Sequence, residues 1–261
     1  MTAKLILFPQ PADTSTMRNI KLVLEYDGSA YSGWQIQSTL PTVQGELAKA
    51  IKTLTGVETR IVGASRTDAG VHAMAQVANF RTDSNMPAGK MEISLNFFLP
   101  PDIAIREATE MPEDFDARRD SKAKTYLYRI YNGKHRSAVM RNLCWSVHHP
   151  LDVELMKKGA EFFIGEKDFS SFRSAECDAN HPVREISSFT VERADNDFIE
   201  FRVKGTAFLR HMVRILTGTL VTLGRGKISL DDIPEIIEAK DRRKASLTAP
   251  PQGLFLKEVE Y

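Results

Sequence analysis

Apolar positions along this chain switch between two periods, and the changeovers mark its elements. From Ile20 to Tyr26 every second residue is apolar or aromatic (Ile20, Leu22, Leu24, Tyr26), the period of a half-buried strand, and Asp27-Gly28-Ser29 closes it with turn chemistry. The period then lengthens. Leu47, Ala50, Ile51 and Leu54 share one face of a helix that Thr42 can cap and Gly56 can stop. Strands are expected again at 60–64 and 74–80, with Arg66-Thr67-Asp68-Ala69-Gly70 in the loop between them. Met91 to Phe98 reads as helical or mixed, Pro100-Pro101 breaks it, and Ile103 to Ala108 reads as a further strand.

The second half repeats the mixture. Thr125 to Tyr131 is a strand rich in aromatics, and a helix from Asp152 to Phe163 is expected to close at Gly165. Strands at 184–193 and 198–203 flank the turn Asp195-Asn196-Asp197. In the helix that follows, Leu209, Met212, Val213, Leu216, Leu220 and Leu223 form one apolar stripe, with Arg210, Arg214 and Gly218 on another face. A shorter helix at 231–238 and a strand at 254–261 complete the chain. Segments 43–56 and 153–165 both run from an aliphatic start to a Gly stop, an echo that hints at duplication.

Strands and helices mix without strict βαβ repetition, so the expected class is α+β with largely antiparallel sheets. A length of 261 residues suits one large domain or two of roughly 110–130. A composition change near 112–120 favours two similar domains, each a mostly antiparallel sheet flanked by helices. The first, 19–118, carries the Asp68 loop, and the second, 119–261, carries Tyr126 and Arg214. Residues 1–18 contain Pro9 and Pro11 and no sustained period, so a loose extension is expected there, with Met17 a candidate start.

Composition narrows the class further. With 42% hydrophobic and 26% charged residues the chain is an ordinary globular protein. Cys144 and Cys177 alone build neither a disulfide framework nor a four-cysteine zinc site, and no apolar run approaches the roughly 18–20 residues that span a bilayer. A cytoplasmic protein with no membrane contact is expected. The net charge of +1 conceals segregation: residues 117–136 carry seven Lys or Arg against the single acid Asp120, and 201–227 carry six with no acid. Such local basic stretches suit a polyanion docked in one groove, because phosphate contacts need local positive potential rather than overall charge.

A lone carboxylate can serve as nucleophile or base when a cation beside it holds it ionised. Asp68 has Arg66 two residues away, and Arg214 on the basic helix is a second candidate partner. His72 has no second ligand at metal spacing and is read as structural, with no metal site expected. No Gly-rich phosphate loop, dinucleotide fingerprint or Gly-x-Ser-x-Gly elbow is present.

An ordered set of motifs carries a resemblance over nearly all of residues 19–261. The set is Glu25-Tyr26-Asp27-Gly28 with Gly33-Trp34-Gln35 and Thr42-Val43-Gln44; Arg66-Thr67-Asp68-Ala69-Gly70-Val71-His72; Lys124-Thr125-Tyr126-Leu127-Tyr128; Ser171-Phe172-Arg173; His211-Met212-Val213-Arg214; and Gly253-Leu254. In these the chain resembles the bacterial-type tRNA pseudouridine synthase A family. The resemblance implies an isomerase that converts uridine to pseudouridine at positions 38–40 of the tRNA anticodon stem-loop, with Asp68 as nucleophile. It further implies that Tyr126 stacks on the target base, that Arg214 pairs with Asp68, that no cofactor is needed, that an RNA-binding cleft lies between the domains, and that the enzyme is a homodimer with tRNA as its partner. Arg66 or Arg214 would fill the space left by an extruded base or hold flanking phosphates, and Tyr126 would also assist loss of the C5 proton. The family often has Gly where this chain has Ser65, a departure expected to be without consequence.

Two rivals remain at this level: an RNA-binding or RNA-folding protein on the same scaffold, with Asp68 unused, and a pseudouridine synthase with a different RNA target.

Overall fold

The computed structural model describes residues 17–261, so the expected extension at 1–18 falls almost wholly outside the described residues. The strands are β1 (Arg18–Tyr26), β2 (Ile61–Gly63), β3 (His72–Thr82), β4 (Ile103–Met111), β5 (Ala123–Tyr131), β6 (Trp145–Ser146), β7 (Gly165–Asp168), β8 (Val183–Arg193), β9 (Phe198–Gly205) and β10 (Leu254–Glu260). The helices are α1 (Val43–Thr55), α2 (Ala88–Phe98), α3 (Val153–Glu161), α4 (Met212–Gly224) and α5 (Asp232–Ala239).

The α+β class is as expected, and most pairings are antiparallel. Periodicity did not reveal that the two halves share one sheet, ordered β4-β1-β3-β10-β5-β9-β8-β7, with β2 beside β3 and β6 beside β5. The chain's last strand makes the join. β10 runs parallel to β3 (Phe255 opposite His72, Leu256 opposite Ala73) and antiparallel to β5 (Leu254 opposite Tyr128, Leu256 opposite Tyr126). The strand that follows the Asp68 loop and the strand bearing Tyr126 are thereby separated by one strand only. The main apolar core follows the sheet, from Ile20 and Leu22 through Tyr128 and Ile130 to Phe201 and Ile215, and a small second cluster gathers Ala64, Val77 and Ala117.

Local chemistry explains the element ends. The Thr42 hydroxyl accepts from the Gly45 amide at 3.2 Å, and α1 stops where Gly56 turns left-handed at φ 79°. The Asp152 carboxylate accepts from the Leu155 amide at 2.9 Å to start α3. That helix ends at Glu161, and Gly165 opens β7 rather than capping the helix, so the echo between the halves extends to the starts of the helices and not to their stops. Asn196 and Asp197, at φ 58° and 64°, make the left-handed turn between β8 and β9 that a two-strand hairpin favours.

The helix expected from Leu209 begins later, at Met212. Leu209 and Arg210 lie in the segment before it, and His211 makes the entry with φ 65° and ψ 0°. Almost every residue of α4 is buried, so it is a central helix and not an amphipathic one with a basic face. Arg214 is its one charged residue.

Candidate active site

The loop between β2 and β3 is tied down by groups from three directions. The Trp34 amide donates to the Thr67 carbonyl at 3.1 Å, and Gly33, at φ 96°, lies so close beneath the loop that a Cβ there would stand 2.5 Å from the same carbonyl oxygen. Tyr26 and Thr67 share a hydroxyl hydrogen bond of 2.8 Å. The Gln76 side chain donates to the Ser65 carbonyl at 2.7 Å, and the Gly70 amide donates to the Tyr31 carbonyl at 3.2 Å. At the loop's tight return, the Val71 amide donates to the Asp68 carbonyl at 3.1 Å and Gly70 takes φ 74°, which glycine adopts without steric cost. These bonds hold the loop in place, and the Asp68 side chain faces a cavity.

That cavity has a volume of about 1690 Å³ and is basic on balance, with Arg60, Arg118, Arg119, Lys124, Arg184 and Arg210 on its walls against the acids Asp116, Glu176 and Asp178. Asp68 sits in it with 24% of its side chain exposed. The Arg214 guanidinium reaches its carboxylate (Nη1 to Oδ2, 3.3 Å), and His211 comes close behind (Nε2 to Oδ2, 3.6 Å). The second nitrogen of the fork, Nε of Arg214, donates to the Ala249 carbonyl at 2.8 Å, which fixes the guanidinium plane.

Tyr126 reaches the same place from β5. Its hydroxyl shares a 2.8 Å hydrogen bond with Ser65, and its ring meets Phe208 edge-on at 5.1 Å. Burial pushes the phenol up to about 12, against a smaller downward pull from Ser65. Ser65, expected to be without consequence, therefore touches the site. Arg66 behaves otherwise than expected: it lines the cavity, but its guanidinium is half exposed and pairs with Asp178 at 3.4 Å across the opening, not with Asp68. Nearness along the chain does not bring the two together: the carboxylate of Asp68 is met instead by Arg214 and His211, and Arg66 reaches outward to Asp178.

Three residues escaped the sequence reading. His211 lay inside a quoted motif but carried no spacing to a second ligand or nucleophile. Phe208 reads as one more core aromatic. Lys124 is only 9% exposed and, among the described residues, has neither an ion pair nor a side-chain hydrogen bond; burial, then the nearby Arg118, lower its pKa. Its signal was present, since Lys124 and Tyr126 are two apart on one strand and so share a face. His72 is buried and serves the fold. Its Nδ1 accepts from the Gly28 amide at 3.0 Å, its ring stacks on Phe255 at 4.7 Å, and burial lowers its pKa. Among the described residues no group of three His, Cys, Asp or Glu could hold a metal ion, and no helix is long and apolar enough to cross a membrane.

Known proteins place this arrangement. A family profile described as tRNA pseudouridine synthase matches residues 22–120 and 160–261, a span that contains Asp68, His211 and Arg214. The chain is 48% identical over 245 residues to the tRNA pseudouridine synthase A of Acetivibrio thermocellus, covering 94% of this chain and all of that protein. It is 46% identical, over the same share of this chain, to the proteins of that name from a Thermoanaerobacter species and from Myxococcus xanthus, with 100% and 92% of those proteins covered.

Proposed function

Because the chain belongs to the tRNA pseudouridine synthase family, and is on that ground an isomerase acting on tRNA, we propose that Asp68 is its nucleophile and that its targets are uridines 38–40 of the anticodon stem-loop. One observation carries the assignment of Asp68. It is the carboxylate in the large basic cavity that an anchored guanidinium, Arg214, holds in place, on a loop whose neighbouring residues are tied down from several sides.

The reaction breaks the bond between N1 and C1′, turns the uracil, and rejoins it through C5, with nothing oxidised and nothing lost. A uracil stacked in an RNA stem must first be extruded, at a cost of a few kcal/mol. Its phosphates are held by the basic walls, a recognition by shape and backbone that tolerates differing sequences. The extruded base lies against the Tyr126 ring, and the Asp68 carboxylate opens the reaction at C1′ or at C6. Arg214 positions the carboxylate. Arg66, at the mouth with Asp178, is placed to exchange that partner for an RNA phosphate. The enzyme works in the cytoplasm as a homodimer, whose second copy extends the positive groove along the tRNA, and 19–118 and 119–261 are its two domains.

Asp68→Asn tests the nucleophile. The expected result is loss of pseudouridine in tRNA with tRNA binding kept. Equal modification by variant and wild type would remove Asp68 from the chemistry and favour a scaffold that only binds RNA. Mapping pseudouridine in tRNA from a strain lacking this protein tests the target: loss at 38–40 is expected, and loss elsewhere overturns the anticodon assignment.

A further inference from the structure

Rejoining uracil through C5 leaves that carbon bearing both C1′ and its original hydrogen. A base must remove the hydrogen before the product is aromatic. We infer that His211 is this base, accepting the C5 proton on Nε2 in the last chemical step. The inference rests on Asp68 being the group that engages the target nucleotide.

Reach is the first argument. Nε2 of His211 stands 3.6 Å from Oδ2 of Asp68. In the rearranged nucleoside C5 is bonded directly to C1′, so whichever route Asp68 opens, C5 ends one bond from the sugar carbon beside that carboxylate. A general base must lie within hydrogen-bond reach of the proton it takes, and His211 borders the space beside Asp68 that C5 would enter.

The backbone supplies the second. His211 adopts φ 65° and ψ 0°, a left-handed conformation that costs a non-glycine residue roughly 1–2 kcal/mol. No hydrogen bond of the imidazole, among the described residues, repays that cost. The strained turn has one visible result: it ends the segment that carries Phe208 and Leu209 and brings the imidazole to Asp68 at the first turn of α4.

The charge around the ring is the third. Asp68 faces it from the β2–β3 loop, Arg214 from α4, Arg210 from the preceding residue and Glu176 from the segment before β8. Burial lowers its pKa, and the two arginines reinforce that against Asp68 and Glu176. The positive end of α4 acts in the same sense. The imidazole is thus neutral at neutral pH, with a lone pair to use. Tyr126, the other group at hand, keeps its proton: its phenol is pushed up to about 12 and is bonded to Ser65.

The step balances. The C5–H bond breaks, the proton goes to Nε2, and the bonding pair becomes the C5–C6 double bond. The electrons of the C6–N1 double bond move to N1, which takes a proton from water, while the imidazolium returns one to water.

The test compares wild type, His211→Gln and Asp68→Asn in single turnovers on three tRNAs carrying uridine, 5-deuterouridine or 5-fluorouridine. With His211→Gln, pseudouridine formation should fall by about 100-fold or more and acquire a primary isotope effect on the deuterated tRNA. On the fluorinated tRNA, where no C5 proton can leave, the variant should form the C5-linked sugar adduct as fast as wild type. Wild-type rates on uridine, a slow reaction without the isotope effect, or equal slowing on the fluorinated tRNA would each overturn the assignment. Asp68→Asn should form no adduct on any of the three; an adduct at wild-type rate would instead overturn the nucleophile.

Discussion

Arg214 holds Asp68 with one nitrogen of its guanidinium and the Ala249 carbonyl with another, 3.3 Å and 2.8 Å away. The second bond sets the plane of the fork and so the place of the first. A lysine can carry the charge but cannot make both contacts from one planar group. Arg214→Lys is therefore expected to lower kcat by about 10- to 100-fold with KM little changed, the signature of a carboxylate no longer aimed. Steady-state kinetics on tRNA check this, and a change confined to KM would show that Arg214 serves binding alone.

Tyr126 touches the site in two ways, with its ring and with the hydroxyl bonded to Ser65. If the ring carries the role, Tyr126→Phe keeps activity within about fivefold, since one hydrogen bond contributes about 1 kcal/mol. Tyr126→Ala should lose most of the rate. Ser65→Gly, which removes the partner hydroxyl, should behave like Tyr126→Phe. Rates measured on the three variants decide it: a Tyr126→Phe enzyme as slow as Tyr126→Ala would move the function to the hydroxyl.

The Asp68 loop and its neighbour strands were legible because they rest on local chemistry: period-two strands, a Thr cap, glycines at turns. Arg214 was found by motif but misplaced in its setting. The apolar stripe through Leu209 reads as a helix because i, i+3 spacing continues smoothly across His211, and nothing in the pattern marks a residue that turns left-handed. The shared sheet was hidden for a related reason. β10 joins β3 in parallel through only two opposed pairs, a contact between residues about 180 apart that no turn signal announces. Arg66 shows the reverse case, where nearness in sequence suggested a pairing with Asp68 and the side chain instead pairs with Asp178.

Gly33 supports the Asp68 loop from beneath. Its φ of 96° disfavours any side chain, and a Cβ would press within 2.5 Å of the Thr67 carbonyl oxygen and 3.1 Å of the Asp68 carbonyl carbon. Gly33→Ala should cost roughly 1–3 kcal/mol of stability and, with Asp68 as the proposed nucleophile, lower kcat beyond what the loss of folded protein explains, because the obstacle is the backbone of the Asp68 loop. Thermal unfolding paired with active-site-normalised rates separates the two effects.

The rate should also report the state of His211. Burial, with Arg214 and Arg210, lowers its pKa from the ordinary 6.5, so the neutral ring is the stable form at neutral pH and protonation removes the base only in acid. The acid limb of the single-turnover rate should then have its midpoint below 6.5, and that limb should vanish in His211→Gln. An unchanged limb in the variant would assign it to another group.

Lys124 offers a prediction in which stability and function move oppositely. It is a cation held almost wholly out of water with no counter-charge among the described residues, and the fold disfavours its protonated form, as its lowered pKa shows. A side chain in that condition destabilises the empty enzyme, and the cost is offset once a phosphate reaches it. Lys124→Met keeps the length of the stem and removes the charge. The melting temperature of the variant should equal or exceed that of wild type. Its affinity for tRNA should fall, and the slope of log affinity against log salt should become shallower by about 1. Filter binding across a salt series reads both, and a variant that binds with an unchanged slope would place Lys124 outside the RNA-binding surface.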